Sequence, residues 1–184
     1  MAVVILVITI ALTLNTILFK QASAALSSPT TNATTTISNL TSATPIYQQH
    51  SQFGNSKVIG VTNGSTTFEA NYSGSGFAKG ISVTDQGTVL YTVHSTGAIY
   101  HGVVLYTVNG TGKGFIRSHD GEMVTYTFKA GGQLDKLRNL AIQGTLNFNT
   151  TPTGNLAFLS DVKGILKGEV TNVGQLTFQV WQQK

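Results

Sequence analysis

The sequence has no cysteine, only three prolines, few charged residues and no glycine before Gly54. Without cysteine, disulfides, thiolate zinc sites and cysteine nucleophiles are excluded, so a folded domain must be held by its core alone. Charged residues are 10% of the chain, against about 25% in ordinary globular proteins. The basic residues are scattered without a run of like charge, although the net charge is +4. A nucleic-acid partner is therefore not expected, because such grooves need clustered lysine and arginine.

An uncharged apolar run occupies residues 2–19, and the small-x-small pattern Ala22-Ser23-Ala24 follows it. The pattern predicts a signal peptide over 1–24, cleaved after Ala24. An 18-residue helix would also extend about 27 Å, enough to cross the hydrocarbon core. An uncleaved N-terminal membrane anchor through residues 2–19 therefore remains an alternative. In both cases we expect the rest of the chain to be extracytoplasmic, either secreted or anchored to the outer face of the cell membrane.

Residues 25–56 are rich in serine and threonine and poor in apolar side chains. Such a segment cannot bury enough surface to offset its ordering entropy, so we predict a disordered stalk. Asn-x-Ser/Thr sequons mark candidate glycosylation sites in a secreted protein. They occur at Asn32, Asn39, Asn63, Asn71, Asn109 and Asn149.

Residues 57–184 are predicted to form an all-β domain, since short runs rich in valine, threonine and aromatic residues alternate with turn signals. Hairpin turns are expected at Asn109-Gly110 and Asp120-Gly121, and three-residue loops at Asp85–Gly87, Ser95–Gly97 and Asn172–Gly174. A single helical turn is expected around Asn155 to Leu159. The predicted strands are 66–72, 77–84, 88–94, 98–108, 112–118, 122–129, 137–148, 164–171 and 176–182.

About eight antiparallel strands joined by short hairpins favour an up-and-down barrel, with a β-sandwich as the alternative. A loop at Ser95–Gly97 would place Val89, Tyr91, Val93, Ile99 and His101 on one interior face, with Tyr91 opposite His101. Carried further, the same register puts Phe115, Val124, Tyr126 and Phe128 on the other face. These apolar side chains would then point away from the interior, and a bulge near Gly112 or Gly114 would turn them inward.

Turn and packing residues in the C-terminal part follow a recognisable order: Gly112-x-Gly114, Asp120-Gly121-Glu122, Gly144, Phe148, Thr150, Gly154-Asn155-Leu156-Ala157-x-Leu159, Gly164, Gly168-Glu169 and Trp181. This order resembles the small β-barrels related to allene oxide cyclase, and equally the exported proteins built on that plan, over residues 66–182. The resemblance implies an eight-stranded barrel with an apolar cavity. It carries over no catalytic carboxylate, because none can be matched residue by residue.

Few residues point to chemistry. The four histidines have no metal-ligand spacing, no pair of carboxylates has acid–base spacing, and no cofactor-binding loop is present, so neither a metal nor a cofactor is expected. Candidates for an interior ligand pocket are Tyr91, His101, Arg117 and Tyr126. Arg117 could instead pair with Glu122 across the hairpin at Asp120-Gly121.

Three functions fit these features. A non-catalytic barrel that binds a small apolar ligand is the first, since eight strands can enclose one small molecule. A structural or adhesive surface module with a filled core is the second. An isomerase or cyclase of the allene oxide cyclase type is the third, and it would need an interior carboxylate or tyrosine beside a cavity.

Overall fold

Eight antiparallel strands form one sheet that closes on itself in a computed structural model, which describes residues 44–100 and 103–183. Each strand pairs with its neighbours in sequence, and β1 also pairs with β8. The all-β up-and-down barrel predicted from the sequence is therefore confirmed, and the sandwich is not observed. The strands are β1 (Tyr47–Thr62), β2 (Ser65–Ala78), β3 (Ile81–Tyr100), β4 (Val103–Ser118), β5 (Met123–Leu134), β6 (Leu140–Phe148), β7 (Lys163–Val170) and β8 (Gln175–Gln182).

The first strand begins inside the segment that was predicted to be a disordered stalk. Tyr47 to Gln52 pair with both β2 and β8 and thereby close the barrel. Tyr47, Gln49 and Ser51 face inward and are buried. The stalk prediction for residues 25–56 is thus wrong from Tyr47 onward, because closure of the sheet supplies hydrogen bonds that composition does not reveal. The predicted leader over 1–24 and residues 25–43 of the predicted stalk lie outside the described residues, as do Asn32 and Asn39.

Three predicted turns are continuous strand instead. Asp85–Gly87 and Asn109-Gly110 pair in register within β3 and β4. Ser95–Gly97 does not end β3, but its backbone shifts register there, with Gly97 at φ 69°. Conversely, the predicted strand 77–84 contains a tight turn at Lys79-Gly80, where both residues have positive φ. Glycines in this barrel serve close packing as often as turns, and a dipeptide does not distinguish the two roles.

Two predicted turns and the helical turn are confirmed. Gly121 and Gly174 have φ of 88° and 79° in the turns before β5 and β8. A 3-10 turn covers Ala157–Leu159. Within the described residues, no helix is long and apolar enough to span a bilayer.

The facing of the strands was predicted only in part. Val89 and Val124 face the interior, together with Tyr126 and Phe128. Ile99 does not, since it lies beyond the barrel body and is 69% exposed. Of the four residues that the predicted register assigned to the opposite face, Phe115 alone faces outward. Its neighbour Ile116 is fully buried. No bulge occurs near Gly112 or Gly114, where β4 pairs in register with both β3 and β5. Val124, Tyr126 and Phe128 face inward because the hairpin before β5 has three residues, and not the two expected at Asp120-Gly121.

The two ends of the barrel differ. The connection between β6 and β7 covers one end, which we call the closed end. Its Leu156 and Leu159 are fully buried in the core. The Glu122 carboxylate accepts hydrogen bonds from the backbone N–H groups of Gly154 (2.7 Å) and Leu156 (2.9 Å), which fixes this connection in place. At the other end the hairpins β1–β2, β3–β4, β5–β6 and β7–β8 turn back, and we call it the open end.

Candidate functional site

A carboxylate surrounded by tyrosine hydroxyls lies inside the barrel near the closed end. Asp85 on β3 is fully buried. It accepts hydrogen bonds from the hydroxyls of Tyr47 and Tyr126, the latter at 2.6 Å. The Tyr126 hydroxyl is also 2.8 Å from that of Tyr72. We call these four residues the tyrosine–aspartate floor.

Two glycines make room for the tyrosine rings. Tyr72, Gly87, Gly114 and Tyr126 stand side by side on four consecutive strands and all face inward. A Cβ atom on Gly87 would lie 2.2 Å from the Tyr72 hydroxyl oxygen, and one on Gly114 would lie 2.6 Å from that of Tyr126. Both rings therefore lie flat across the inner surface of the sheet, where side chains would otherwise stand, and their hydroxyls reach Asp85.

Burial shifts the protonation of the floor. It raises the pKa of Asp85 from 3.8 to about 6, although hydrogen bonds from Tyr126 and Tyr47 act in the lowering direction. Burial also raises the pKa of Tyr72 above its ordinary value. The pKa values of Tyr47 and Tyr126 rise for the same reason, and the Asp85 charge adds to the rise. The floor thus holds neutral phenols around one carboxyl group that can gain or lose a proton near neutral pH.

A buried amide lies in the same half of the barrel. The Gln49 side chain donates from Nε2 to the Ser51 hydroxyl. Its Oε1 atom is buried without a hydrogen-bond partner among the described residues. A buried acceptor of this kind is costly unless a donor meets it, so the site has capacity for one hydroxyl or N–H group.

Aromatic side chains separate the floor from the open end. The rings of Phe53 and Phe128 lie 6.1 and 6.3 Å from that of Tyr72, in edge contact. Beyond them the inward-facing wall is apolar but only half-buried. Its members are Tyr91, Ala130, Ile142 and Val170. We call these four residues the upper wall. These four side chains are therefore partly accessible to solvent, although Leu140 and Leu176, the cross-strand neighbours of Val170, are buried.

Tyr91 and Tyr126, two of the predicted pocket residues, do face the interior. Tyr91 stacks on Phe68 with ring centroids 5.1 Å apart, and its hydroxyl donates to the Ser56 hydroxyl at 3.3 Å. Its cross-strand neighbour is Gly110 and not His101, because β3 continues past the predicted loop. His101 lies outside the described residues.

Arg117, the fourth predicted pocket residue, is on the outer surface. Its side chain is exposed, and its guanidinium lies 5.9 Å from the centre of the Phe115 ring, which also faces outward. The prediction that Arg117 enters the barrel is therefore wrong, since Ile116 and Ser118 take the inward positions of β4. The alternative pairing with Glu122 is not observed either, since that carboxylate binds the backbone of the β6–β7 connection.

The sequons within the described residues are all exposed: Asn63, Asn71, Asn109 and Asn149. Asn71 and Asn149 border a groove of about 780 Å³ that crosses the outer faces of β2 to β5. Their glycosylation stays a prediction. Nor do the described residues include a group of three or more His, Asp or Glu side chains that could hold a metal ion.

Sequence reasoning missed three of the four floor residues. Tyr47 was placed in the stalk, Asp85 was interpreted as a turn former, and Tyr72 was taken only as part of a strand. One signal was present, since Tyr72 and Tyr126 each stand at an inward position whose cross-strand neighbour is glycine. That signal depends on knowing the register.

Comparison with known proteins adds only the fold. No family model and no curated protein matches the chain. The barrel is similar to the crystal structure of a conserved protein of unknown function from Rhodopseudomonas palustris. The two are 13% identical, with a TM-score of 0.59 over 75% of this chain and 94% of the other. At this identity the likeness concerns the architecture and carries no function.

Proposed function

We propose that the protein is a non-catalytic binding barrel that takes a small apolar ligand through its open end. The observation that carries this proposal is the half-buried upper wall. Apolar side chains that point into a barrel and yet remain partly exposed offer the surface that small-molecule sites use. Burial of that surface by a ligand would contribute about 25 cal/mol per Å².

The floor gives such a ligand a polar end point. The unpartnered Oε1 atom of Gln49 and the Asp85 carboxyl lie below the aromatic layer of Phe53 and Phe128. A ligand with one hydroxyl or carboxyl group at its tip would match this arrangement if the Phe128 ring moved aside. We therefore place long-chain alcohols and acids first among candidate ligands.

Ligand binding can be tested with two matched alanines on neighbouring strands. Ala130 faces the interior and is half-buried, whereas Ala141 faces outward and is exposed. We expect Ala130→Phe to weaken binding of a fluorescent long-chain fatty acid, cis-parinaric acid, by about tenfold or more, because the added ring fills the open half. Ala141→Phe should leave binding unchanged.

Native mass spectrometry of gently purified protein supplies a second measurement. An adduct of lipid mass that is lost in Ala130→Phe supports the proposal. If Ala130→Phe does not fold, Tyr91→Ala widens the same wall and should change the affinity in a folded protein. A clean apo mass together with no saturable fatty-acid binding would overturn the proposal, and the structural or adhesive module with a filled core would replace it.

A second candidate function rests on Asp85 itself. An interior carboxyl whose pKa is about 6, flanked by neutral phenols, has the acid–base character that an isomerase or cyclase needs. Resemblance to allene oxide cyclase-type barrels points the same way. Product formation from a bound unsaturated fatty-acid epoxide that is abolished in Asp85→Asn would favour this candidate over simple binding.

A further inference from the structure

Every hairpin at the open end carries an exposed aliphatic side chain. Val61 on β1–β2, Ile99 on β3–β4, Leu137 on β5–β6 and Val173 on β7–β8 are 71%, 69%, 70% and 66% exposed. Val104, beside Ile99 across its hairpin, is exposed as well. We call these five residues the aliphatic rim. Single exposed apolar residues are ordinary on any surface, but one at every turn of the same end is a pattern.

The closed end lacks this pattern in the part of the chain that the structure describes. Its turns expose Lys79, His119, Asp120 and Asp161. The nearest large apolar side chains there, Phe77 and Met123, lie on the outer faces of strands and not at the tips of turns. The two ends of one barrel are therefore chemically different.

Basic side chains flank the rim at its β5–β6 hairpin. Lys136 and Arg138 stand on either side of Leu137, and all three are exposed. Asp135 is nearby, but its Oδ1 atom accepts the backbone N–H groups of Leu137 and Asn139 at 2.8 Å each. These bonds fix the loop that presents Leu137. An apolar tip between two cations is the arrangement that favours an anionic lipid surface.

The spacing of the rim also favours lipid over a protein partner. A specific protein interface buries about 800 Å² of continuous surface on each side. The rim residues stand on separate hairpins around an opening, so a rigid partner could pack on only some of them. A fluid bilayer can accept separate side chains at several points. We propose that the aliphatic rim docks on the surface of an anionic lipid bilayer.

Docking of this kind would place the open end of the barrel against a reservoir of apolar molecules. Transfer of a ligand between bilayer and barrel rests on the proposed function, while the docking itself does not. Ligand could then pass between the bilayer and the upper wall without crossing water.

The absence of cysteine permits a direct test in the full chain. Single variants Val61→Cys and Leu137→Cys carry an environment-sensitive nitrobenzoxadiazole probe on the rim. Phe77→Cys and Met123→Cys carry the same probe near the closed end as matched controls. The vesicles contain phosphatidylcholine and phosphatidylglycerol, with and without spin-labelled lipid, and no added ligand. The expected result is a blue shift and strong quenching at the two rim positions, and little of either at the control positions.

Charge is tested with Lys136→Gln and Arg138→Gln in the Leu137→Cys background. Each removed charge should lower binding of the rim probe to anionic vesicles about fivefold at low salt. Equal quenching at both ends of the barrel would overturn the inference, since apolar contact would then not be specific to the rim. A probe response that needs no vesicles and grows with protein concentration would also overturn it and would indicate a second copy instead. Neither outcome affects the fatty-acid measurement with Ala130→Phe.

Discussion

The two halves of the barrel interior contain similar residues but differ in how tightly those residues are packed. Near the closed end, Tyr47, Tyr72 and Tyr126 are buried, and their hydroxyls meet at Asp85 or at one another. Near the open end, Tyr91 is only half-buried, and its hydroxyl has one long bond to Ser56. The closed half resembles an ordinary protein core with one polar network, whereas the open half leaves part of its apolar surface exposed.

The two halves differ in how the space beside the glycines of the inner wall is used. In the closed half, glycines on the wall are matched by aromatic rings that occupy their space. In the open half, Gly110 has no atom closer than 3.2 Å to the position of a Cβ. Space that is filled contributes stability, and space that is left free can contribute binding.

The largest expected effect separates two glycines of β4. Gly114→Ala would place a methyl group 2.6 Å from the Tyr126 hydroxyl oxygen, so the ring must move and its bond to Asp85 must break. We expect a loss of about 4 kcal/mol in the free energy of unfolding, from overpacking and a lost charge-assisted hydrogen bond together. Gly110→Ala should cost about 1 kcal/mol, since the nearest atoms, Tyr91 Cβ and the Leu90 carbonyl oxygen, lie at 3.2 and 3.3 Å and need only a small shift. Urea denaturation measures both, and equal losses would contradict the division into two halves.

A somewhat smaller effect should follow pH. The pKa of Asp85 is 3.8 unfolded and about 6 folded, so the folded state binds the proton more tightly. The free energy of unfolding should therefore fall as pH rises from 3.8 to about 6, and stay level above that range. Because one pKa unit corresponds to about 1.4 kcal/mol, the fall attributable to Asp85 is about 3 kcal/mol.

The matched control for this pH effect is Asp85→Asn, which keeps the shape of the side chain and removes its ionisation. Denaturation curves at several pH values would be compared between the two proteins. The free energy of unfolding of the unsubstituted protein, relative to that of Asp85→Asn, should fall as pH rises from 3.8 to about 6 and stay constant outside that range. A pH dependence that is identical in both proteins would show that Asp85 does not titrate in this range.

The smallest effect compares two tyrosine hydroxyls. Tyr126→Phe removes a donor to a buried carboxylate and should cost about 2 kcal/mol. It should also raise the pKa of Asp85, because that hydrogen bond acts in the lowering direction. Tyr91→Phe removes only the long bond to Ser56 and should cost less than about 1 kcal/mol. Thermal unfolding would detect the difference, and a larger loss for Tyr91→Phe would contradict our assignment of the closed half as the more tightly packed one.

Local sequence reasoning succeeded where one segment determines its own structure. The turns at Gly121 and Gly174 require positive φ, and the short polar loops around them leave few other conformations. It failed where another strand decides. Gly87 was predicted to end a loop and Gly114 to lie in a strand near a bulge, but the rings of Tyr72 and Tyr126 on adjacent strands account for both glycines.

The candidate site shows the same limit. Tyr91 could be placed in the interior by alternation, because period-2 patterns report which side of a strand a residue occupies. The same pattern put Tyr126 on the opposite face, since the hairpin before β5 was expected to have two residues and has three. Arg117 was misplaced because its entry into the barrel would need the bulge expected near Gly112 or Gly114, where one residue of slip would exchange the two faces, and β4 pairs there without a shift. Asp85 could not be found, since nothing local distinguishes a buried aspartate from one in a turn.

The sequence by itself determined that the chain from Ser65 onward alternates between the two faces of a sheet and turns back repeatedly, because strand propensity and turn chemistry act over a few residues. Only the tertiary structure decided that Tyr47 completes the barrel, that three phenols and a carboxyl group form its floor, and that aliphatic side chains mark one end. These features depend on pairings between residues far apart in the chain, such as Tyr47 with Ala78 and Val180. Their energies come from burial and register, which exist only once the sheet has closed.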